Sequence, residues 1–146
     1  AHLLADRAGL DGPPVAVDIA PGPLVDVVAW PEKLPFADDS IDCFTSFYFM
    51  RRFDDDVVHL FGEELRRVLA PGGTALVLEI APVKNARLEA LHRKLLSGGC
   101  AEVDLRGWGR LAALFTECGF DAIDLVNVGP FVVPPIPRVG VLLRRA

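Results

Sequence analysis

Residues 63–79 read EELRRVLAPGGTALVLE. Several kinds of local structure meet in this stretch. Residues 54–69 carry Val57, Phe61, Leu65 and Val68 at helical spacing, with Glu63, Glu64, Arg66 and Arg67 pointing away. Asp54, Asp55 and Asp56 stand at the start of that helix. Carboxylates there cap free N–H groups and suit the positive end of the helix dipole. That role accounts for the triplet and is preferred to metal binding. Pro71-Gly72-Gly73 stops the helix. TALVLEI, residues 74–80, then runs apolar almost without a break. This is the pattern of a parallel strand covered on both faces. A helix leading into such a strand predicts an α/β protein.

The flanking segments extend the pattern. AHLLADRAGLDG, residues 1–12, has helical spacing and ends at glycine. VAVDI (15–19) and VDVVAW (25–30) are short β runs, separated by Pro21-Gly22-Pro23. IDCFTS (41–46) is a third. Beyond the central stretch, ARLEALHRKLL (86–96) reads as an amphipathic helix. Leu88, Leu91 and Leu95 form its apolar side, and His92 lies among the charged, solvated residues. Trp108, Leu111, Phe115 and Cys118 mark a third helix, closed by Gly119. FDAIDLVNV (120–128) and RVGVLLRR (138–145) are strands joined by the apolar, proline-rich GPFVVPPIP. That link is too short for a parallel crossover, so the last two strands are expected to be antiparallel.

Composition narrows the function. The 146 residues suit one domain spanning 1–146. Fifteen Lys plus Arg oppose 20 Asp plus Glu, a net charge of −5 that would repel a nucleic-acid backbone. Cys43, Cys100 and Cys118 show no metal-type or disulfide spacing, and Cys43 reads as a small buried hydrophobe. No apolar run approaches the roughly 18 residues of a membrane span, and no signal peptide is visible. The reading is a cytoplasmic domain. Met50 is the single methionine, and the chain starts at Ala1.

VAVDIAPGP, VDVVAWPEKLPFADDSIDCFTS, EELRRVLAPGGTALVLE and LFTECGFDAIDL, taken together and in order, resemble the class I S-adenosylmethionine-dependent methyltransferases. The small-molecule, type 11-like branch is the most similar. The resemblance covers roughly residues 14–128. It implies a Rossmann-like, mostly parallel sheet with helices on both faces and an antiparallel C-terminal strand pair. It also implies methyl transfer from S-adenosylmethionine to a small acceptor, apolar if the loop 130–137 lines its pocket. Under it, Leu34-Pro35-Phe36 anchors the loop after the family's third strand, and Thr45, Ser46, Phe47 and Tyr48 lie at the active end of its fourth. Asp18 would hold a ribose diol if VAVDI is the family's second strand, the equal alternative being a turn aspartate before Pro21-Gly22, with Ile19, Ala29, Trp30, Ser46 and Phe47 completing the cofactor side. Tyr48 and Phe131 would face the substrate.

Two features depart from the family. Its glycine-rich loop is not visible, and the chain is expected to begin just after it, lacking one N-terminal strand. An alternative alignment makes VAVDIAPGP the first strand and its loop. Second, Trp30 stands where the family often has an acidic residue for the adenine amino group. It could stack on adenine or serve as a core tryptophan, and the core role is preferred. Both departures keep a second reading open, a non-catalytic binding or interaction module. The apolar loop 130–137 offers a substrate wall, a cover for the sheet edge, or a contact with a protein partner or second copy. A nucleotide-dependent oxidoreductase is disfavoured, because no GxGxxG follows a strand.

Overall fold

The computed structural model describes residues 14–97, 103–131 and 136–146. Helix α1 spans Asp55–Val68. Asp54 precedes it in extended conformation, and its side chain accepts the Val57 N–H at 3.0 Å. Asp55 and Asp56 occupy the first turn and Arg66 and Arg67 the last, matching the helix dipole at both ends. Val58, Phe61, Gly62, Leu65 and Val68 form the buried face.

Strand β4 begins at once, spanning Leu69–Ile80. Pro71-Gly72-Gly73 therefore does not separate helix from strand; the helix has already ended. These residues form an irregular start to β4. Ile41 pairs with Leu69, but Cys43 pairs with Thr74, so extra residues bulge out between the two pairs. Gly72 takes φ +81°, where glycine is favoured, and donates its N–H to the Arg145 carbonyl at 2.8 Å.

The main sheet has the order β3-β4-β6-β5, with β3 at Ile41–Phe47, β5 at Ala122–Val126 and β6 at Arg138–Arg144. β3 and β4 are parallel, whereas β6 runs antiparallel to both β4 and β5. Strands β1 (Val17–Asp18) and β2 (Val27–Val28) form a separate parallel pair. The molecule is thus mixed α/β with antiparallel C-terminal strands, as expected. Its strands make two sheets, and among the described residues one edge of β1 and one edge of β3 have no strand neighbour.

Helices α1 and α3 (Trp108–Glu117) pack on the main sheet and on each other. Leu65, Val77, Leu111, Phe115, Val141 and Leu143 are completely or almost completely buried between them. Burial along β4 alternates from Ala75 to Val77, while Leu76 and Leu78 are half-buried. On β3, Phe44 packs on the core and Ser46 is buried, so Cys43 points outward and is exposed. The register shift between Ile41 and Cys43 sets this phase, and it overturns the expectation of a buried Cys43.

Helix α2 (Ala86–Ser97) reverses its expected faces. His92 is 2% exposed, whereas Leu88, Leu91 and Leu95 are 42–57% exposed. The helix is held by its polar side. Glu89 accepts the Val83 N–H at 2.9 Å and pairs with Arg93 at 3.0 Å, and Arg93 also donates to the Val103 carbonyl. The first-helix reading of residues 1–12, Cys100 and positions 132–135 of the proline-rich loop lie outside the described residues.

The Leu-Pro-Phe anchor holds as expected. Leu34 is 5% exposed and Phe36 packs against the core. The Leu34 N–H reaches Glu64 at 2.8 Å, and Arg67 donates to the carbonyls of Leu34 and Phe36 at 3.0 Å. Arg67 also pairs with Glu64 and Asp38.

Candidate active site

Parallel strands deliver their last residues to one edge, and the expected site residues gather at carboxyl ends. Asp18 pairs across from Val28, and the Ala29 N–H donates to the Asp18 carbonyl at 3.0 Å. This bond brings Asp18 and Ile19 beside Ala29 and Trp30. One Asp18 carboxylate oxygen, Oδ1, accepts the Ala20 N–H at 3.1 Å. The side chain is exposed, so Oδ2 can accept from a ligand. Trp30 is 60% exposed, which rules out the core role preferred from sequence. Its ring is open for stacking. Ser46 and Phe47 end β3, the first buried and the second 45% exposed.

Tyr48 and Phe131, read separately as substrate-facing, are brought together. Their ring centroids lie 5.5 Å apart at 43°. Tyr48 has φ +55°, an uncommon conformation for a bulky residue. Its N–H bonds the Leu78 carbonyl at 2.7 Å, which fixes the turn that ends β3. Arg138 completes the group. It stacks over Phe131 at 4.6 Å from Cζ to the centroid, reaches the Tyr48 hydroxyl at 3.3 Å, and donates to the carbonyls of Val128 (2.6 Å) and Gly129 (2.8 Å). A small second core of Ile80, Val103, Leu105 and Ile136 supports this corner, with Leu96, Tyr48 and Phe131 packed against it.

Glu79 lies at the end of β4 and is 3% exposed. Its Oε1 accepts the Met50 N–H at 2.7 Å, and Oε2 has no hydrogen-bond partner among the described residues. Burial pushes this carboxyl above the ordinary range, against hydrogen bonds from backbone N–H groups and the charge of Arg51. The folded protein therefore holds the Glu79 proton to higher pH than the unfolded chain does. As pH rises above the ordinary glutamate value of about 4.3, the unfolded state releases the proton first and stability falls. Glu79→Gln is expected to flatten that decline. Urea unfolding at several pH values checks it; an unchanged slope would mean that Glu79 is not the group responsible.

Glu79, Arg51 and Arg138 had no legible role in the sequence. Glu79 read only as part of a strand end and Arg138 as a strand start. Cys118 is buried, with its thiol pushed up to about 11 by desolvation and the nearby Glu63 and Glu117. This is not a nucleophile's environment. A pocket of about 410 Å³ lies at the opposite, amino ends of β3 and β4. Arg67 pairs there with Asp38 and Arg145 with Asp39, while Arg66 donates to the Gly119 carbonyl, and it lies at the other end of the strands from the carboxyl edge.

A family model described as the ubiE/COQ5 methyltransferase family matches residues 24–96, half of the chain. The chain belongs to the ubiE/COQ5 methyltransferase family. A demethylmenaquinone methyltransferase from Mycobacterium sp. (strain KMS) is 38% identical over 64 residues, covering 44% of this chain and 27% of that relative. This ubiE/COQ5 chain thus spans about a quarter of that curated relative. Solved structures share the fold. PH0226 protein from Pyrococcus horikoshii OT3 matches with a TM-score of 0.69 at 15% identity, over 99% of this chain and 77% of that one. Human N-acetylserotonin methyltransferase, in complex with SAM, gives 0.64 at 18% identity, over 87% and 35%.

The described residues of this ubiE/COQ5 chain fit the adenosine half of S-adenosylmethionine. Asp18 offers a carboxylate oxygen and Trp30 an open aromatic face. For the amino-acid half, no described glycine of the main sheet lies at its carboxyl edge beside Ser46 and Phe47.

Proposed function

We propose that this chain carries the core of an S-adenosylmethionine-dependent methyltransferase acting on a small molecule. The observations that support the reading are that Asp18 and Trp30 sit at or just beyond the carboxyl ends of the parallel pair β1–β2, and Ser46, Phe47 and Tyr48 at that of β3, in a chain of this family. When bound, S-adenosylmethionine supplies an electrophilic methyl group. The chain's own residues would do the positioning. Asp18 Oδ2 would accept from a ribose hydroxyl, and Ala29 and Ile19 would line the adenosine beside the Trp30 face. Ser46 and Phe47 border the reacting end. Tyr48 and Phe131, locked by Arg138, form an aromatic wall against which an acceptor is oriented. Placement of two reactants in a dry site can supply most of such a rate enhancement without a dedicated base.

Phe131, turned onto Tyr48 and Arg138, favours a small molecule over a second chain at segment 130–137. A cytoplasmic location belongs to the same proposal; no helix among the described residues is long and apolar enough to cross a membrane.

Calorimetric titration with S-adenosylhomocysteine, with NAD as control, tests the reading. A dissociation constant around micromolar, about −8 kcal/mol, is expected. Asp18→Ala should weaken it roughly thirtyfold, since a hydrogen bond to a charged group is worth about 2 kcal/mol. No heat from a folded sample would favour the second reading, a non-catalytic module, which draws on the lack of a described glycine beside Ser46 and Phe47.

A further inference from the structure

Helix α2 presents an apolar stripe to solvent. Leu88, Leu91 and Leu95 stand at i, i+3 and i+7 on one face, and they are 42–57% exposed. None of the three belongs to, or packs on, either core cluster among the described residues. The helix is anchored elsewhere on its circumference. His92 is buried, Glu89 accepts the Val83 N–H, and Arg93 donates to the Val103 carbonyl. A contiguous stripe of this kind, unlike a single exposed leucine, marks an interaction surface.

The charges beside the stripe select its occupant. Arg87 lies four residues before Leu91 and Lys94 three after it, so both flank the stripe along one side. Lys84 stands just before the helix. All three are exposed and form no ion pair among the described residues. Glu89 is the single carboxylate of residues 84–97, and Arg93 pairs with it. Four cations less one carboxylate give this segment +3, so the other residues of a chain of net −5 carry −8. The segment is a local positive pole on an acidic protein. A second copy would bring this pole against itself, like charge on like. An anionic lipid surface meets both features. Acyl chains take the leucines, and headgroups take the cations, whose alkyl stems lie along the apolar boundary.

We infer that α2 docks flat on a lipid bilayer rich in anionic headgroups, with Leu88, Leu91 and Leu95 at the acyl boundary and Lys84, Arg87 and Lys94 among the headgroups. The helix has 12 residues, too few to span a bilayer and suited to lying in its surface. The docking does not depend on the methyltransferase reading, but it gives that site a location. Leu96 of α2 packs on the same small core as Tyr48 and Phe131. The aromatic wall would therefore stand close to the bilayer, where apolar small molecules dissolve.

Co-sedimentation of the chain with lipid vesicles tests this. At low salt, vesicles of equal parts phosphatidylcholine and phosphatidylglycerol should take up the chain at least about tenfold more strongly than phosphatidylcholine alone, and high salt should reduce the uptake. Arg87→Gln and Lys94→Gln should each weaken it about fivefold, the share of one cation at an anionic surface. Leu91→Gln should weaken it about fivefold, and joint replacement of Leu88, Leu91 and Leu95 by Gln about a hundredfold. All these side chains are exposed, so the variants should keep the fold, which far-UV circular dichroism verifies. Arg144→Gln, at the opposite end of the main sheet beside Thr74, should leave uptake unchanged. Equal uptake by both kinds of vesicle, or undiminished uptake of the triple variant, would overturn the inference. No uptake by the mixed vesicles, or a dimer in light scattering that the triple variant abolishes, would assign the stripe to a protein surface and overturn it too. The S-adenosylhomocysteine titration is separate. Its failure with vesicle uptake intact would sink the methyltransferase reading alone, and the reverse result would sink the lipid face alone.

Discussion

Phe115→Ala is expected to lower the unfolding free energy by about 4 kcal/mol. Phe115 is wholly buried between α1, α3 and the sheet. It meets Phe120 edge-on, with centroids 6.0 Å apart at 87°. It also closes the approach of α1: a Cβ on Gly62 would stand 3.3 Å from the Phe115 ring and 2.5 Å from Cys118 Sγ. The two helices thus meet at a glycine, and the ring fills the remaining space. Its removal opens a cavity in an interior that relaxes only in part. Urea unfolding followed by far-UV circular dichroism checks it. A loss under about 1 kcal/mol, the size of a surface change, would mean that α1 and α3 do not pack as described.

Arg106→Ala is the second large effect, with an expected loss of about 3 kcal/mol. The Arg106 side chain is 4% exposed and joins four groups. It binds Asp55 Oδ1 at 2.5 Å, Asp104 at 2.8 Å and the carbonyls of Phe53 (2.8 Å) and Met50 (3.2 Å). It therefore ties the turn after β3, the start of α1 and the segment before α3 into one corner. Burial pushes the Asp55 carboxyl up, but hydrogen bonds from Arg106 and Arg110 outweigh it and hold the group below the ordinary range. The sign follows. The unfolded chain takes up the Asp55 proton first as pH falls, so this stability is present above the ordinary aspartate pKa and disappears in acid. Arg106→Ala should therefore lose most at neutral pH and less in acid. A loss independent of pH would assign the effect to packing alone.

Residues 63–79 read well because their information is local. Helical spacing, an acidic start and an apolar run need no distant partner to be interpreted. The strand ends near Asp18 and Ala29 were legible for the same reason, since Pro21-Gly22 and Pro31 follow them, whereas the edge at Ser46 and Tyr48 came from the family resemblance. Legibility failed where a long-range contact decides. The Leu88, Leu91 and Leu95 stripe is apolar in sequence, yet α2 docks through Glu89, His92 and Arg93, whose contacts include Val83 and Val103. Cys43 followed the alternation of its strand until a bulge shifted the phase. Trp30 was read by the habit of its residue type, but the short β1–β2 pair offers no core to hold it. Arg106, Arg138 and Glu79 each reach a group 29 to 90 positions away, and no local pattern marks such a contact.

The division of the strands into two sheets bears on how any ligand would be held. Asp18 and Trp30 ride on the β1–β2 pair, and Ser46 and Phe47 on the four-stranded sheet. No ladder of backbone bonds joins these bodies among the described residues; the connection runs through the segment clamped by Glu64 and Arg67. A molecule touching both groups acts as a crossbrace. It would supply a bridge where the backbone makes no strand pairing, and by mass action the occupied protein should open at that seam less often than the empty one.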